Sequence, residues 1–291
     1  MKLHATSTSA CRESSLNNGS DRIFVDAHFH LAENSHVFEK INGKAPENFA
    51  GAINVSSAEE LENALLLKKL FSPRHIAVSF GAFSFFENLC DTEAVLNLCR
   101  ENLAALDAAL KGSSGAYIDA VGEAILDAST KERRSTLDAQ LEIFKEQIKL
   151  AKSYEKCLVI HCVRAVPLIF ELTPVLKKLP AVVFHGWGGS VNEAEALLKR
   201  GINCFFSLGT QLVGGKKSAA VCAATLPLER ILFETDFPYC NVKGLCLSQL
   251  ETLRNVYSFA AEKRSVNMED LAVQAYYNFS RAFFSSASNS L

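Results

Sequence analysis

Short, near-continuous apolar runs punctuate this chain at regular intervals. They lie at Ile23–His28, Gly51–Val55, His75–Gly81, Tyr117–Gly122, Leu158–Cys162, Ala181–Gly186, Ile202–Leu208 and Ile231–Thr235. None alternates apolar with polar residues, as a strand wetted on one face does; each reads as a strand covered on both faces, the pattern of a parallel sheet. Between the runs the period changes to that of a helix. Leu137, Leu141, Phe144, Ile148 and Ala151 follow 4-3-4-3 spacing, which puts them on one helical face and turns Lys145, Glu146 and Lys149 to the other. Ala58–Leu70, Thr92–Leu110, Val191–Arg200 and Ser248–Lys263 behave alike, with Asp91 and Thr92 as capping candidates and Gly112 and Gly201 as stops. Leu271, Ala275, Phe279, Ala282 and Phe283 predict one further helix over Leu271–Phe284.

Parallel neighbours need helical crossovers. Eight strands alternating with helices therefore predict an α/β fold of TIM type, a (β/α)8 barrel with an extra C-terminal helix. Eight is also the number at which a parallel barrel closes around a side-chain-filled interior. An open doubly wound sheet is the alternative for the same count. No repeat or interdomain linker interrupts residues 22–291, which read as a single barrel. Residues 1–21 are rich in Ser, Thr and Asn and lack the apolar core of a signal peptide; they read as a disordered N-terminal extension.

Composition narrows the classes. No apolar run approaches the roughly 18 residues that span a bilayer, so the expectation is a soluble protein with no membrane partner. The expected compartment is the cytoplasm, with the nucleus or mitochondrion as alternatives. Nine cysteines, an odd number without CxxC spacing, argue against a disulfide framework and a zinc knuckle, and read as reduced core thiols. The 30 Lys and Arg against 32 Asp and Glu give a net charge of −2. A protein that grips nucleic acid by broad electrostatics is basic, so any polyanion here is held locally, by metal ions or a small basic rim.

Candidate chemistry sits where the predicted strands end. His28 and His30 flank Phe29, and alternate residues of a strand face the same way. His161 closes the fifth run and His185 the sixth; Glu123 follows the fourth and Asp236 the eighth. In a barrel these six positions converge on one mouth, the place where barrel active sites are built. Imidazole mixed with carboxylate suits zinc, manganese, iron or nickel better than magnesium. Six donors exceed what one catalytic ion with an open position needs, and suit two ions bridged by a carboxylate. Singly, each residue has an ordinary explanation, a hydrogen-bonding histidine or a helix-capping aspartate. Their coincidence at one end of five strands is what carries the signal. His4, His36 and His75 have no such placement and read as surface or structural residues.

Five blocks then bring a family into view. Phe24-Val-Asp-Ala-His-Phe-His30, Val121-Gly-Glu-Ala-Ile-Leu-Asp127, Ile160-His-Cys162, Phe184-His-Gly186 and Phe233-Glu-Thr-Asp-Phe-Pro-Tyr239 resemble, in order, the blocks of the TatD-type deoxyribonucleases. That family belongs to the amidohydrolase-like metal-dependent hydrolases. The resemblance implies a metal-dependent phosphodiesterase acting on DNA, often from a 3′ end or on a single strand, with two divalent ions (Mg, Mn or Zn). Carried over by motif, His28, His30, Glu123 and Asp236 would hold one ion. Glu123, His161 and His185 would hold the second, with Glu123 bridging. Asp236 would act as general base on the attacking water, and Glu123 and Asp236 together form the catalytic pair.

The chain also departs from the family pattern. Phe83 stands in Gly81-Ala-Phe-Ser84 where the family carries His, and Ile125 stands where it carries a small residue. The arginine two residues after the fifth-strand His is replaced by Val163, with Arg164 following. Arg164, Trp187 and the pair Lys216 and Lys217 are the candidate substrate contacts: guanidinium and ammonium groups for phosphate, and an indole for a base. Asp127 is a candidate for orienting the loop near Glu123. Two other readings stay open. One is a related barrel hydrolase of a small amide, ester or lactone, with a closed mouth instead of a basic groove. The other is a catalytically weakened binding protein, suggested by Phe83 and Ile125.

Overall fold

A computed structural model describes residues 23–31, 48–70, 75–82, 92–239 and 249–284. The predicted N-terminal extension, Phe83 and Asp91 lie outside them. Eight strands are present: β1 (Phe24–His30), β2 (Phe49–Val55), β3 (Ile76–Phe80), β4 (Ala120–Asp127), β5 (Cys157–Val163), β6 (Val182–His185), β7 (Cys204–Leu208) and β8 (Ile231–Phe233). They pair in sequence order, each parallel to the next. A doubly wound sheet would reverse its strand order at a switch point, so the barrel reading holds and the open sheet does not.

The seam between the first and last strands is closed just beyond β8. The His30 N–H donates to the Phe237 carbonyl at 2.7 Å, and the Asp236 N–H to the His28 carbonyl at 3.0 Å. Below them, fully buried Asp26 on β1 accepts from the Thr235 N–H at 2.9 Å, from the Thr235 hydroxyl at 2.6 Å and from Gln249 Nε2 at 2.8 Å. Burial lifts the Asp26 carboxyl to about 7 against the pull of these donors. Buried Tyr257 ties the same strand outward, donating to the Val25 carbonyl at 3.1 Å.

Inward and outward residues of the strands form two separate clusters. Small and medium side chains, among them Ala27, Ala50, Ala77 and Val159, fill the barrel together with the larger Phe205. Ile53, Phe80, Val121, Ile160 and Phe206 face the helices instead. Those helices are α1 (Ala58–Leu70), α2 (Thr92–Lys111), α3 (Lys131–Ser135), α4 (Leu137–Ser153), α5 (Val166–Glu171), α6 (Thr173–Leu176), α7 (Val191–Lys199), α8 (Lys217–Thr225), α9 (Gln249–Arg264) and α10 (Met268–Phe283). The predicted C-terminal helix is α10. It starts earlier than its apolar pattern because Asn267 caps it, accepting from the Asp270 N–H at 2.6 Å. Its Phe279 and Phe283 join the barrel-filling cluster and plug the N-terminal end. The C-terminal end is left as the mouth. Cys99, Cys157, Cys162, Cys204 and Cys222 are buried free thiols, as expected.

One predicted boundary moves in a way that matters. β4 does not stop at Gly122 but runs on to Asp127, and its pairing with β5 shifts register between Val121 and Ala124. Gly122, at φ +143°, occupies that irregularity, and a Cβ there would fall 2.4 Å from the Val159 carbonyl oxygen. Gly81 is equally constrained, since its Cβ would meet the Glu123 nitrogen at 2.4 Å. Two glycines thus let the backbone carrying Glu123 press between its neighbours.

Because Asp26 accepts three bonds from Thr235 and Gln249 at a buried seam, Asp26→Ala is expected to lower the free energy of unfolding in urea by about 1–3 kcal/mol. An unchanged value would show that the seam is held without it.

Candidate metal centre

At the mouth, the strand ends bring nitrogen and oxygen atoms together. His28 Nε2 lies 3.1 Å from His30 Nε2 and 2.7 Å from Glu123 Oε1. His30 Nε2 is 3.1 Å from the same oxygen. Asp236 Oδ1 approaches these two imidazoles to 3.7 and 3.6 Å. The other oxygen of Glu123, Oε2, turns away to His185 Nε2 at 3.6 Å. His185 Nε2 is in turn 2.9 Å from His161 Nδ1. Two triads of metal-binding geometry result, His28–Glu123–His185 and His28–His30–Asp236. His161 belongs to neither triad and meets the cluster through His185.

Local structure explains the aim of each side chain. His28 and His30 are alternate residues of β1 and point into the same space. The rings of His28 and His185 stack, with centroids 3.8 Å apart and planes at 12°. Asp236 adopts a left-handed backbone, φ +56°, of the kind that clusters at functional sites. Its own N–H is held by the seam, and the next N–H, of Phe237, donates to the Thr235 hydroxyl at 3.1 Å.

The electrostatics favour positive charge among these groups. Burial alone would raise the Glu123 carboxyl, but the imidazoles of His185 and His28 outweigh it and hold the group well below the usual range. Asp236 is likewise held low, against its burial, by His30. Burial opposes protonation of His30, yet its bonds to Asp236 and Glu123 lift it to about 10. His185 is raised to about 9 in the same way, against burial, by Glu123 and Glu234. His28 goes the other way: its complete burial, with His185 beside it, lowers it and favours the neutral ring. Ring nitrogens that meet in pairs at 3.1 and 2.9 Å, with carboxylates alongside, make a donor set that accepts a divalent cation. The residues fit the group.

A family model described as TatD related DNase matches residues 25–284. The chain belongs to the TatD-related DNase family. Among curated relatives, the 3'-5' ssDNA/RNA exonuclease TatD of Citrobacter rodentium (strain ICC168) is 30% identical over 129 residues, 43% of this chain and 48% of that protein. The chain thus spans about half the length of this bacterial relative. Deoxyribonuclease Tat-D of Schizosaccharomyces pombe is 26% identical over 212 residues, 69% of this chain and 67% of that protein. The crystal structure of YJJV, a TatD homologue from Escherichia coli k12, shares the fold. It superposes with a TM-score of 0.70 at 24% identity, covering 89% of this chain and 97% of that one.

In this TatD-related chain the six residues singled out from the sequence all come to the mouth. The candidate substrate contacts divide. Arg164, at φ +54°, is exposed and donates from Nη1 to the Ser129 carbonyl at 3.0 Å. Lys216 and Lys217 are exposed at the start of α8, and Lys216 Nζ lies 3.2 Å from the position of a Cβ on Gly188, over the loop after β6. Trp187 corrects the expectation. Its indole is buried against Phe184 and Phe206, at centroid distances of 5.3 and 4.9 Å, and offers no face to a base. The apolar wall of β6 and β7 takes it as a core residue. Ile125 is buried with Ile143 and Phe144 of α4, and in the β4–β5 register it stands beside His161. His75 meets Tyr276 edge-on, with centroids 6.0 Å apart.

Two acidic residues were not foreseen. Asp26 sets the seam, and Glu234 accepts from the Gly186 N–H at 2.6 Å while facing His185 Nδ1 at 3.5 Å. The available signal was a charged residue inside an apolar strand run, because such residues are almost never fully buried without partners. Asp127, which the sequence did flag, lies 3.3 Å from His161 Nε2. Burial would raise its carboxyl, but the contacts with His161 and Ser129 outweigh that and hold it below the usual range.

The pH dependence follows from the signs. His30 and His185 bind protons more tightly folded than unfolded, so their stabilisation is complete below about pH 6.5 and drains away as pH rises through about 9 and 10. His28, lowered, is neutral in both states above that range and adds no slope. Chelator-treated protein is expected to lose melting temperature between pH 7 and 9, and saturating divalent ion is expected to flatten that slope. A pH-independent melting temperature in metal-free protein would contradict the charge arrangement.

Proposed function

We propose that this protein is a divalent-metal-dependent hydrolase that cleaves phosphodiester bonds of DNA. The observation that carries the reading is Glu123, whose two carboxylate oxygens face different imidazole partners, His28 and His30 on one side and His185 on the other. We assign His28, His30, Glu123 and Asp236 to one ion and Glu123, His161 and His185 to a second, with Mg, Mn and Zn as the candidate metals. When bound, two such cations neutralise charge on phosphoryl oxygens and lower the pKa of an attacking water.

The chain's own groups divide the remaining work. Asp236 is the most open of the site's carboxylates, its side chain 36% exposed against 8% for Glu123. It is suited to accept the proton of the attacking water at Oδ1 and to aim that water in line with the leaving oxygen. Buried Glu123 holds the two halves of the donor set at a fixed separation. Arg164 after β5, with Lys216 and Lys217 after β7, supply charge for the phosphates that flank the scissile bond. A net charge of −2 over the whole chain makes tight non-specific binding to DNA unexpected. The names of the relatives, a 3'-5' ssDNA/RNA exonuclease and a deoxyribonuclease, support a polynucleotide substrate, and a single strand or 3′ end is the form we propose.

The test is reconstitution of metal-free protein with Mg²⁺, Mn²⁺ or Zn²⁺, followed by assay on 3′- and 5′-labelled single- and double-stranded DNA. Metal-dependent cleavage is expected, abolished in Glu123→Ala and lowered about 10²–10⁴-fold in kcat by Asp236→Asn. Cleavage that survives loss of Glu123 would overturn the site; fully metallated protein inert on every DNA would overturn the substrate. Arg164→Gln and Lys216→Gln are expected to raise KM with kcat retained, each reducing the salt slope of DNA binding by about 1.

A further inference from the structure

His161 and His185 turn different nitrogens toward one another: Nδ1 of the first lies 2.9 Å from Nε2 of the second. Each ring has a buried carboxylate on its far side. Asp127 Oδ2 stands 3.3 Å from His161 Nε2, and Glu234 Oε1 stands 3.5 Å from His185 Nδ1. Neither carboxylate belongs to the two triads of candidate ligands. We propose that Asp127 and Glu234 are positioning residues that decide which nitrogen of His161 and of His185 is offered to the metal centre. The inference rests on the metal-centre part of the reading above and not on the identity of the substrate.

The geometry around Asp127 leaves it little freedom. Its N–H donates to Gln140 Oε1 at 2.6 Å, and its carbonyl accepts from Gln140 Nε2 at 3.1 Å, so one buried amide of α4 clamps the backbone from both sides. Oδ1 accepts from the Ser129 N–H at 2.7 Å. Oδ2, the oxygen that faces His161, also receives Arg133 Nη1 at 2.5 Å. A guanidinium is permanently charged, and its presence on that oxygen keeps Asp127 an acceptor only. The nitrogen of His161 that meets it must therefore carry the ring proton, which leaves the Nδ1 lone pair facing the cluster. Glu234 does the same from the opposite direction. Pinned by the Gly186 N–H at 2.6 Å, it favours the proton on His185 Nδ1 and leaves Nε2 bare. Two bare nitrogens 2.9 Å apart repel unless a cation touches both, so the outer carboxylates turn an ordinary histidine pair into a two-pronged ligand.

The experiment uses full-length protein labelled with ¹⁵N-histidine, zinc-loaded and metal-free, in long-range ¹H–¹⁵N spectra. Zinc affinity is measured alongside by competition with a chromophoric chelator. In the zinc-loaded wild type His161 is expected to carry its proton on Nε2 and His185 on Nδ1. Asp127→Asn and Glu234→Gln keep size and shape. Each is expected to weaken zinc about 10–100-fold and to disturb the tautomer signal of its own histidine. Wild-type zinc affinity and unchanged tautomers in both variants would overturn the proposal. Since Asp127→Asn leaves Arg133 without its carboxylate, the double variant Asp127→Asn with Arg133→Gln removes that strain on folding. It is expected to melt near the wild type and still bind zinc weakly. Recovery of zinc affinity along with the melting temperature would assign Asp127 a structural role and overturn the proposal for it. Zinc stoichiometry and DNA cleavage by the wild type test the hydrolase reading separately, so either idea can fail alone.

Discussion

The closure of β8 onto β1 is the constraint from which the site follows. Three of the six donors flank that seam: His28 and His30 on one side and Asp236 on the other. The bonds that close it are made by the backbones of those residues and their neighbours, His28 carbonyl to Asp236 N–H and His30 N–H to Phe237 carbonyl. Asp26 reinforces it from below through Thr235. Closing the barrel and assembling half of the donor cluster are thus one event. A chain that leaves the seam open separates Asp236 from the imidazoles it faces.

The two ends of the barrel are built for opposite purposes. Inward alanines on β1, β2 and β3 leave room at the N-terminal end, and Phe279 and Phe283 of α10 enter to fill it. Apolar burial there, at roughly 25 cal/mol per Å², stabilises the fold. At the C-terminal end the same barrel holds Glu123 and His28 buried, where isolated charge is costly. That cost is offset only among opposite charges or around a cation. The charges of the mouth are therefore mutually dependent, and the Glu123 carboxyl, held low by the imidazoles it touches, is the common member of the set.

The outer carboxylates extend this dependence by one layer. Glu234 directly follows β8 and Asp127 ends β4, the two strands that also deliver Asp236 and Glu123 to the mouth. One strand end supplies a donor and, within two to four residues, a carboxylate that faces a histidine of another strand. The registers β4–β5 and β5–β6, which set Ile125 beside His161 and His161 beside His185, fix how these groups meet.

Much of this was legible in the chain. Apolar runs bounded by helical periodicity announced eight strands and their order, because a strand covered on both faces must be apolar throughout. His28, His30, Glu123, His161, His185 and Asp236 were legible because they are polar residues at the ends of such runs. Other features depended on three dimensions. Trp187 looked like a rim residue from its Gly-rich neighbours, and only the walls of Phe184 and Phe206 show it to be core. The extension of β4 past Gly122 comes from a register shift against β5, a property of the pair and not of either strand. Asp26, Glu234 and the choice of nitrogen on His161 and His185 likewise escaped notice, since each is defined by a partner dozens to hundreds of positions away. Periodicity along the chain records what each residue needs, burial or water; which partner satisfies that need is decided by the closure of the barrel.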